Sequence, residues 1–257
     1  KNQKDFNKIP GSNIGYWLSE RVIKIFSENK TLNEVGDGKQ GLATADNNRF
    51  LRHWSEVSSL TSYFHAKSTN DAFRNGSKWF PYNKAGELRR WYGNQDYLVN
   101  WEKDGNEIKN FKTSEGKQRS AVRNPEYYFR ESISWGLITS AGSSFRLYPE
   151  GFVYDVAGMS YFPKDKINKL VLLAGLNTKL ISNINKVLNP TINLQIGDVI
   201  RLPHLNIKSS YIEELSKDNI GISRQEWNSR KTSWDFTLNE LIRTKYDIDS
   251  FESEEGM

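Results

Sequence analysis

Residues 78–101 run Lys78-Trp79-Phe80-Pro81-Tyr82-Asn83-Lys84, then Ala85-Gly86-Glu87-Leu88-Arg89-Arg90-Trp91-Tyr92-Gly93, then Asn94-Gln95-Asp96-Tyr97-Leu98-Val99-Asn100-Trp101. The two ends, 78–82 and 97–101, read as strands, because aromatic and β-branched side chains suit a pleated, half-buried surface. Seven aromatics fall in this stretch: Trp79, Phe80, Tyr82, Trp91, Tyr92, Tyr97 and Trp101. Lys78, Lys84, Arg89 and Arg90 are interleaved with them. Such mixing is how proteins hold phosphates while stacking on bases or sugars. The plainer reading is an aromatic core with a solvated basic face, and residue type alone favours it. For at least two of Trp79, Trp91, Trp101 and Trp135 core packing is the expectation, since tryptophans at strand positions bury.

Outward from this stretch, strands and helices mix. Ser12 reads as an N-cap, and Tyr16, Trp17, Val22, Ile23 and Phe26 predict a helix over about 15–29. Gly36-Asp37-Gly38 breaks that pattern. The small, polar run 41–49 reads as a turn leading into a strand over 50–57. Residues 67–77 read as a loop, and Asp104-Gly105 as a hairpin turn before residues 106–111. Residues 112–124 are charged and poor in apolar side chains, which predicts a mobile loop. Residues 127–135 read as a strand or short helix, with strands over 143–148 and 151–156. A stripe from Ile167 to Leu188 with a 3.6-residue period predicts one long packing helix, stopped at Asn189-Pro190. Helical runs follow over 208–218 and near 238–245. The class is α+β, strand-rich, with a long packing helix and a helical C-terminal extension.

The chain has 257 residues, a net charge of +5 and no cysteine. Disulfides and thiolate metal sites are excluded, which fits a reducing cytoplasm. No apolar run approaches membrane-spanning length. The charge is uneven: residues 1–207 carry 29 basic and 20 acidic side chains, and residues 208–257 carry 7 and 11. A basic body with an acidic tail suits an anionic partner for the body. His53, His65 and His204 are too scattered for a metal site, so no metal ligand is expected. No nucleophile elbow and no phosphate-cradling glycine loop occurs. The turn Gly41-Leu42-Ala43-Thr44 reads equally as a ligand-side turn or as a loop shaped by its glycine. Because the chain opens on Lys1 in polar sequence, it reads as a segment of something longer.

Ordered motifs go further. They are Ile9-Pro10-Gly11…Tyr16-Trp17; Gly41-Leu42-Ala43-Thr44-Ala45-Asp46-Asn47-Asn48-Arg49-Phe50…Trp54; and Lys78-Trp79-Phe80-Pro81-Tyr82-Asn83-Lys84…Gly86. Arg90-Trp91-Tyr92-Gly93, Val99-Asn100-Trp101, Tyr128-Phe129…Ser134-Trp135 and Phe145-Arg146…Gly151-Phe152 follow. Asn189-Pro190-Thr191…Gly197-Asp198-Val199…Leu202-Pro203 and Trp227-Asn228-Ser229…Thr232-Ser233-Trp234-Asp235-Phe236 complete the series. In this order they resemble the C-terminal, target-recognition region of bacterial adenine-specific DNA methyltransferases of the PglX type. Those enzymes belong to BREX phage-defence systems and are related to type IIG restriction–modification enzymes. Two departures stand out. The family's Thr-Gly-Asp-Asn is Thr44-Ala45-Asp46-Asn47 here, which loses a glycine's backbone freedom. The family's catalytic Asn-Pro-Pro-Tyr is absent: Asn124-Pro125-Glu126-Tyr127 and Asn189-Pro190-Thr191-Ile192 are the nearest strings. The glycine-rich S-adenosylmethionine motif is also missing.

The resemblance implies a fold similar to the specificity domain of TaqI-like methyltransferases. It implies no catalytic residue and no cofactor in this segment, with S-adenosylmethionine bound by the parent enzyme. The implied partners are double-stranded DNA, an N-terminal methyltransferase domain of the same polypeptide and other defence-system subunits, in the cytoplasm and not at a membrane. The implied division is 1–35 as a joining helix, 36–203 as the DNA-recognition domain and 204–257 as an acidic helical extension. Thr44, Asp46, Asn47 and Arg49 would shape a DNA-facing loop, although turn formation alone also accounts for Asp46 and Asn47. Lys84, Arg89 and Arg90 would hold phosphate. Lys112, Lys117, Gln118, Arg119 and Arg123 would read sequence, and Lys78, Ser134 and Arg146 complete the DNA-contact candidates. A protein-docking role for the segment is the alternative. An unrelated aromatic-lined carbohydrate pocket ranks last.

Overall fold

The structure is a computed structural model that describes residues 9–11, 18–138 and 142–245. In chain order its elements are α1 (Glu20–Glu28), α2 (Leu32–Val35), β1 (Gly36–Lys39), α3 (Asn47–Phe50), β2 (Leu51–His53) and α4 (Thr69–Asn75). Then come β3 (Trp79–Asn83), β4 (Tyr97–Asn100), α5 (Glu102–Lys109), β5 (Ser132–Trp135), β6 (Phe145–Tyr148), β7 (Val153–Tyr154) and β8 (Ser160–Pro163). Helices α6 (Lys169–Leu176), α7 (Lys179–Leu188), α8 (Ile196–Val199) and α9 (Ser210–Asn228) follow.

Two four-stranded sheets form. The first has the order β1-β8-β5-β6 with antiparallel neighbours; the second has the order β2-β4-β3-β7, in which β3 and β7 run parallel. Side chains alternate across a strand, and in the first sheet that alternation sorts two interiors. Ile133, Trp135, Phe145 and Tyr161 point one way, into a core with Leu173 and Leu176 of α6, Ile184 of α7, Ile23 and Phe26 of α1, and Ile220 and Trp227 of α9. Their neighbours Ser132, Ser134, Arg146, Tyr148 and Ser160 are also buried. They point the other way, toward the second sheet, where Asn83 of β3 donates to Ser134 Oγ at 2.7 Å. The layers are therefore helices, first sheet, second sheet. Phe80, Tyr82, Val99, Trp101, Tyr128, Phe129 and Phe162 build the second core.

Several sequence expectations change. Val22, Ile23 and Phe26 lie in α1, but its N-cap is Ser19, whose hydroxyl accepts from Val22 N at 3.3 Å; Ser12, Tyr16 and Trp17 lie outside the described residues. Gly36-Asp37-Gly38 ends the helical pattern, as expected, and does so as edge strand β1, paired with residues 161–163 of β8. The run 67–77 holds α4: Ser68 caps its start at Asp71 N, and Gly76 closes it in the left-handed region. The expected hairpin at Asp104-Gly105 is α5; Lys103, Asp104 and Gly105 all take positive φ, a left-handed turn that feeds a right-handed one. The strand foreseen over 50–57 is short β2 followed by a 3-10 turn at Trp54–Glu56.

The long helix over 167–188 is two helices. Thr178 caps α7 through Ile181 N, and Asn177 turns aside to bind both backbone groups of Phe145, at 3.0 and 2.9 Å. An amide at the break thus secures edge strand β6, which a continuous helix could not do. Strands β4, β6 and β7 lie where the sequence puts them, somewhat shorter; β3 is offset by one residue, and of the strand or short helix read over 127–135 the strand forms, as β5. The run 208–218 is the start of the longer α9, and residues 240–245 are helical. Trp79, Trp101 and Trp135 are core residues, as expected for at least two of the four tryptophans.

Candidate nucleic-acid interface

Gly41 has a purely internal reason. A Cβ there would lie 1.8 Å from Tyr154 O, so the turn sits tight against β7. Tyr82 Oη donates to Leu42 O at 3.1 Å from beneath, and burial pushes this phenol well above its ordinary range. Above the turn, Thr44 Oγ1 donates to Asn47 Oδ1 at 2.6 Å, and Asp46 caps α3 through Arg49 N at 3.1 Å. Ala45 between them has φ +59°, in the left-handed region where glycine is at ease. The loop therefore keeps the backbone shape that a Thr-Gly-Asp-Asn sequence favours.

The expected mobile loop 112–124 is a hydrogen-bonded hairpin. Thr113 N reaches Lys117 O at 2.8 Å and Arg119 N reaches Phe111 O at 3.0 Å. Its far strand pairs with the turn described above: Ala43 and Ala121 exchange both backbone bonds at 2.9 Å. Side chains join the same two segments. The guanidinium groups of Arg49 and Arg119 lie 4.9 and 4.7 Å from the centre of the Phe111 ring. Glu107 Oε1 accepts from Arg49 at 2.8 and 2.7 Å, and Glu107 Oε2 accepts from Asn100 Nδ2 at 2.8 Å. Arg49 is thus oriented by a carboxylate, and Arg119 extends from the hairpin beside it. Lys112, Lys117, Gln118 and Arg123 are exposed on the same hairpin, with Gln118 Nε2 donating to Ser120 Oγ at 2.9 Å.

On the other side of α3 lies a cleft of about 430 Å³ lined by Asn47, Asn48, Leu51, Arg52, His53, Glu56, Lys84 and Tyr97. Lys84 forms an ion pair with Asp155 at 3.3 Å. Asp96 lies nearby; burial raises its carboxyl pKa, opposed by the charges of His53 and Arg89.

The remaining candidates divide. Lys78 and Arg90 are exposed, with the Lys78 ammonium 5.6 Å from the Trp79 ring centre. Arg89 pairs with Glu226 of α9 and lies 4.9 Å from the Trp227 ring centre, so its charge is already met inside the chain. Ser134 and Arg146, opposite each other on β5 and β6, are fully buried between the sheets. Ser134 Oγ donates to Met159 O at 2.8 Å, while Arg146 donates to Ala85 O and Arg89 O and so shapes the 85–89 loop. Strand alternation hides both from the surface. Sequence reasoning missed Glu107, Phe111, Arg52, His53 and Tyr97. His53 and Tyr97 meet only because β2 pairs with β4, and no local signal marks that pairing.

The acidic tail is woven into the body. Trp227 is buried in the helix-side core, Trp234 packs on Phe64 and Phe152, and Trp54 Nε1 donates to Thr232 O at 2.7 Å. Among the described residues no cluster of His, Asp and Glu is placed to hold a metal, and no helix is long and apolar enough to cross a membrane.

No family model matches the chain. It is 38% identical over 242 residues to the adenine-specific methyltransferase PglX of Lacticaseibacillus casei (strain Zhang), covering 93% of this chain. It is 37% identical over 253 residues to the adenine-specific methyltransferase BrxX of Escherichia coli O9:H4 (strain HS), covering 96% of this chain. The chain is homologous to part of the PglX and BrxX adenine-specific methyltransferases. It spans about a fifth of their length, 20% and 19%. Against PglX and BrxX the extended likeness runs through both sheets and the tail, which agrees with the ordered motifs.

Proposed function

We propose that this segment grips duplex DNA for an adenine-specific methyltransferase of a phage-defence or restriction–modification system. One observation carries the reading: the 41–49 turn and the 112–123 hairpin, distant in sequence, are locked into one face that presents Arg49 and Arg119 on a shared Phe111 ring. Lys112, Lys117 and Arg123 supply phosphate contacts around it, with Lys78, Lys84 and Arg90 at the flank. Phosphate contacts position and base-edge contacts specify. Arg119, Arg49, Gln118 and Asn47 are the side chains of the right chemistry to read guanine or adenine.

In this reading residues 36–203 form a DNA-recognition domain like the specificity domain of TaqI-like enzymes. The methyltransferase domain elsewhere in the polypeptide binds S-adenosylmethionine, takes the adenine out of the stack and methylates N6. Extruding a base costs a few kcal/mol, which a duplex clamp on the other side offsets. Such an enzyme works in the cytoplasm, where the DNA is.

The test is duplex binding by the chain across salt concentrations. Binding must weaken steeply with salt. Replacing Lys112, Lys117 and Arg123 together by alanine removes three phosphate contacts and flattens the log–log slope by about 2.7, at ~0.9 per contact. An unchanged slope refutes the hairpin assignment.

A second reading applies to residues 204–257, as a surface for the methyltransferase domain or another defence-system subunit. It is favoured by the outer face of α9, where Tyr211, Leu215 and Ile222 are exposed one above another at helical spacing. Loss of methyltransferase-domain binding on Ile222→Glu, with DNA binding intact, would establish it.

A further inference from the structure

The cleft beside α3 joins Asn47, Asn48 and Lys84, which lie in the motifs of the resemblance, to Arg52, His53 and Tyr97, to which the resemblance gives no role. His53 ends β2 and Tyr97 opens β4, and the two are direct cross-strand partners. Their rings stack with centroids 4.4 Å apart and planes 33° from parallel, so they form one aromatic platform. The backbone under the His53 ring is held in place because Glu56 Oε2 accepts from His53 N at 2.8 Å. Asn47 and Asn48 form one wall from the first turn of α3, and Lys84 stands on the β3 side. Arg52 Nη1 donates to Asn48 O and Leu51 O, both at 2.6 Å, which fixes a cation at the rim. A second cleft of about 270 Å³, lined by Ala85, Gly86, Asn94 and Asp96, shares Lys84 and Tyr97 with the first and extends the groove.

Aromatic faces with nearby cations and side-chain amides are the chemistry of a single unstacked nucleotide. Every base has a face that stacks, a phosphodiester takes a cation, and a base edge exchanges hydrogen bonds with an amide. The volume lies within the range of small-ligand sites. A paired duplex presents no free base face, so the groove is idle against intact B-form DNA. It becomes useful once a nucleotide has left the stack, and the proposed parent reaction requires that event.

We infer that the groove between α3 and Lys84 is a site for one extrahelical nucleotide, with its base on the Tyr97–His53 platform, its edge toward Asn47 and Asn48, and its phosphate between Lys84 and Arg52. The inference rests on the duplex-gripping reading and deepens it. An extruded base leaves a gap and an orphaned partner. Holding a displaced nucleotide on this side lowers the cost of opening the duplex, and the work of base extrusion is then shared between the recognition segment and the catalytic domain.

The experiment uses the whole chain and two short duplexes that differ by one unpaired 5-iododeoxyuridine bulge. The bulged duplex is expected to bind about tenfold tighter than the paired one, in line with stacking of a single base. Irradiation is expected to crosslink the bulge to Tyr97 or His53, read by mass spectrometry of the digested adduct. Tyr97→Ala is expected to abolish the preference without changing binding of the paired duplex, and Tyr97→Phe to retain it. His53→Ala, at an exposed position, provides the check should Tyr97→Ala fold poorly. Equal binding of the two duplexes overturns the nucleotide site and leaves the duplex-gripping reading standing. Crosslinks elsewhere, or a preference that survives both alanine variants, do the same. Binding of neither duplex at low salt overturns both.

Discussion

Replacing Trp227 by alanine tests how the acidic tail is held. The indole is 6% exposed, shares a core with Ile220, Trp135 and α6, and supports the Arg89 guanidinium at 4.9 Å. Truncating a buried tryptophan costs roughly 3–5 kcal/mol, from lost transfer free energy and the cavity left behind. The cation–π contact adds about 1 kcal/mol, between the buried indole and an Arg89 side chain that is 19% exposed. The Arg89–Glu226 pair is partly exposed and contributes little by comparison, about 0.5 kcal/mol. In a chain of this size each kcal/mol moves the melting temperature by about 2–4 °C, so a fall of roughly 6–20 °C is expected. Calorimetry or circular dichroism on the purified chain reads it, with Glu226→Gln as the control that touches the ion pairs of Glu226 with Arg89 and Arg230 and spares the indole. A shift of under about 2 °C would refute the reasoning, because the tail would then be a loosely laid appendage and the core contacts of α9 would carry no weight.

Arg146→Ala is expected to cost roughly 3 kcal/mol in chemical denaturation, since the carbonyls of Ala85 and Arg89 lose charged donors inside the protein. Arg146→Lys should recover little, one ammonium being unable to reproduce the guanidinium fork. Ala45→Gly is expected to raise stability by roughly 0.5 kcal/mol, because relief at φ +59° outweighs the extra freedom of glycine in the unfolded chain; a lowered denaturation midpoint would contradict this. Burial depresses the pKa of His204, so between that folded value and about 6.5 the unfolded chain binds more protons than the folded one. Stability therefore rises with pH in that window and is lost as pH falls through it; denaturant midpoints at pH 7.5 and 5.5 should differ less in His204→Gln than in the parent chain.

The sequence was most legible where one local rule acts alone. Strands β3 and β4 follow from aromatic and β-branched runs, and the end of α7 follows from Asn189-Pro190. It was least legible where a tertiary partner decides. Asp104-Gly105 favours a hairpin turn, yet the left-handed residues feed a helix because Gly105 must pass close over the Trp101 ring, which a Cβ would meet at 2.6 Å. The apolar stripe of 167–188 keeps its phase across Asn177, so the break is visible only once β6 is there to receive the amide. For the candidate interface, the charged hairpin and the 44–49 turn were both visible as segments. Their union through Ala43 and Ala121 was not, because backbone pairing leaves no mark on side-chain identity. Ser134 and Arg146 were drawn to the surface by motif membership, whereas period-two alternation sends both inward.

The weave of the tail sets a limit on grafting. Trp234 rests on Phe64 and Phe152, Trp54 holds Thr232, and Trp227 enters the core beneath the first sheet. Moving residues 36–203 alone into another enzyme would carry the loops proposed to face DNA but leave behind indoles that close their scaffold. The portable piece extends at least through Trp234, and a hybrid joined near residue 204 would inherit new loops on a fold with an open seam.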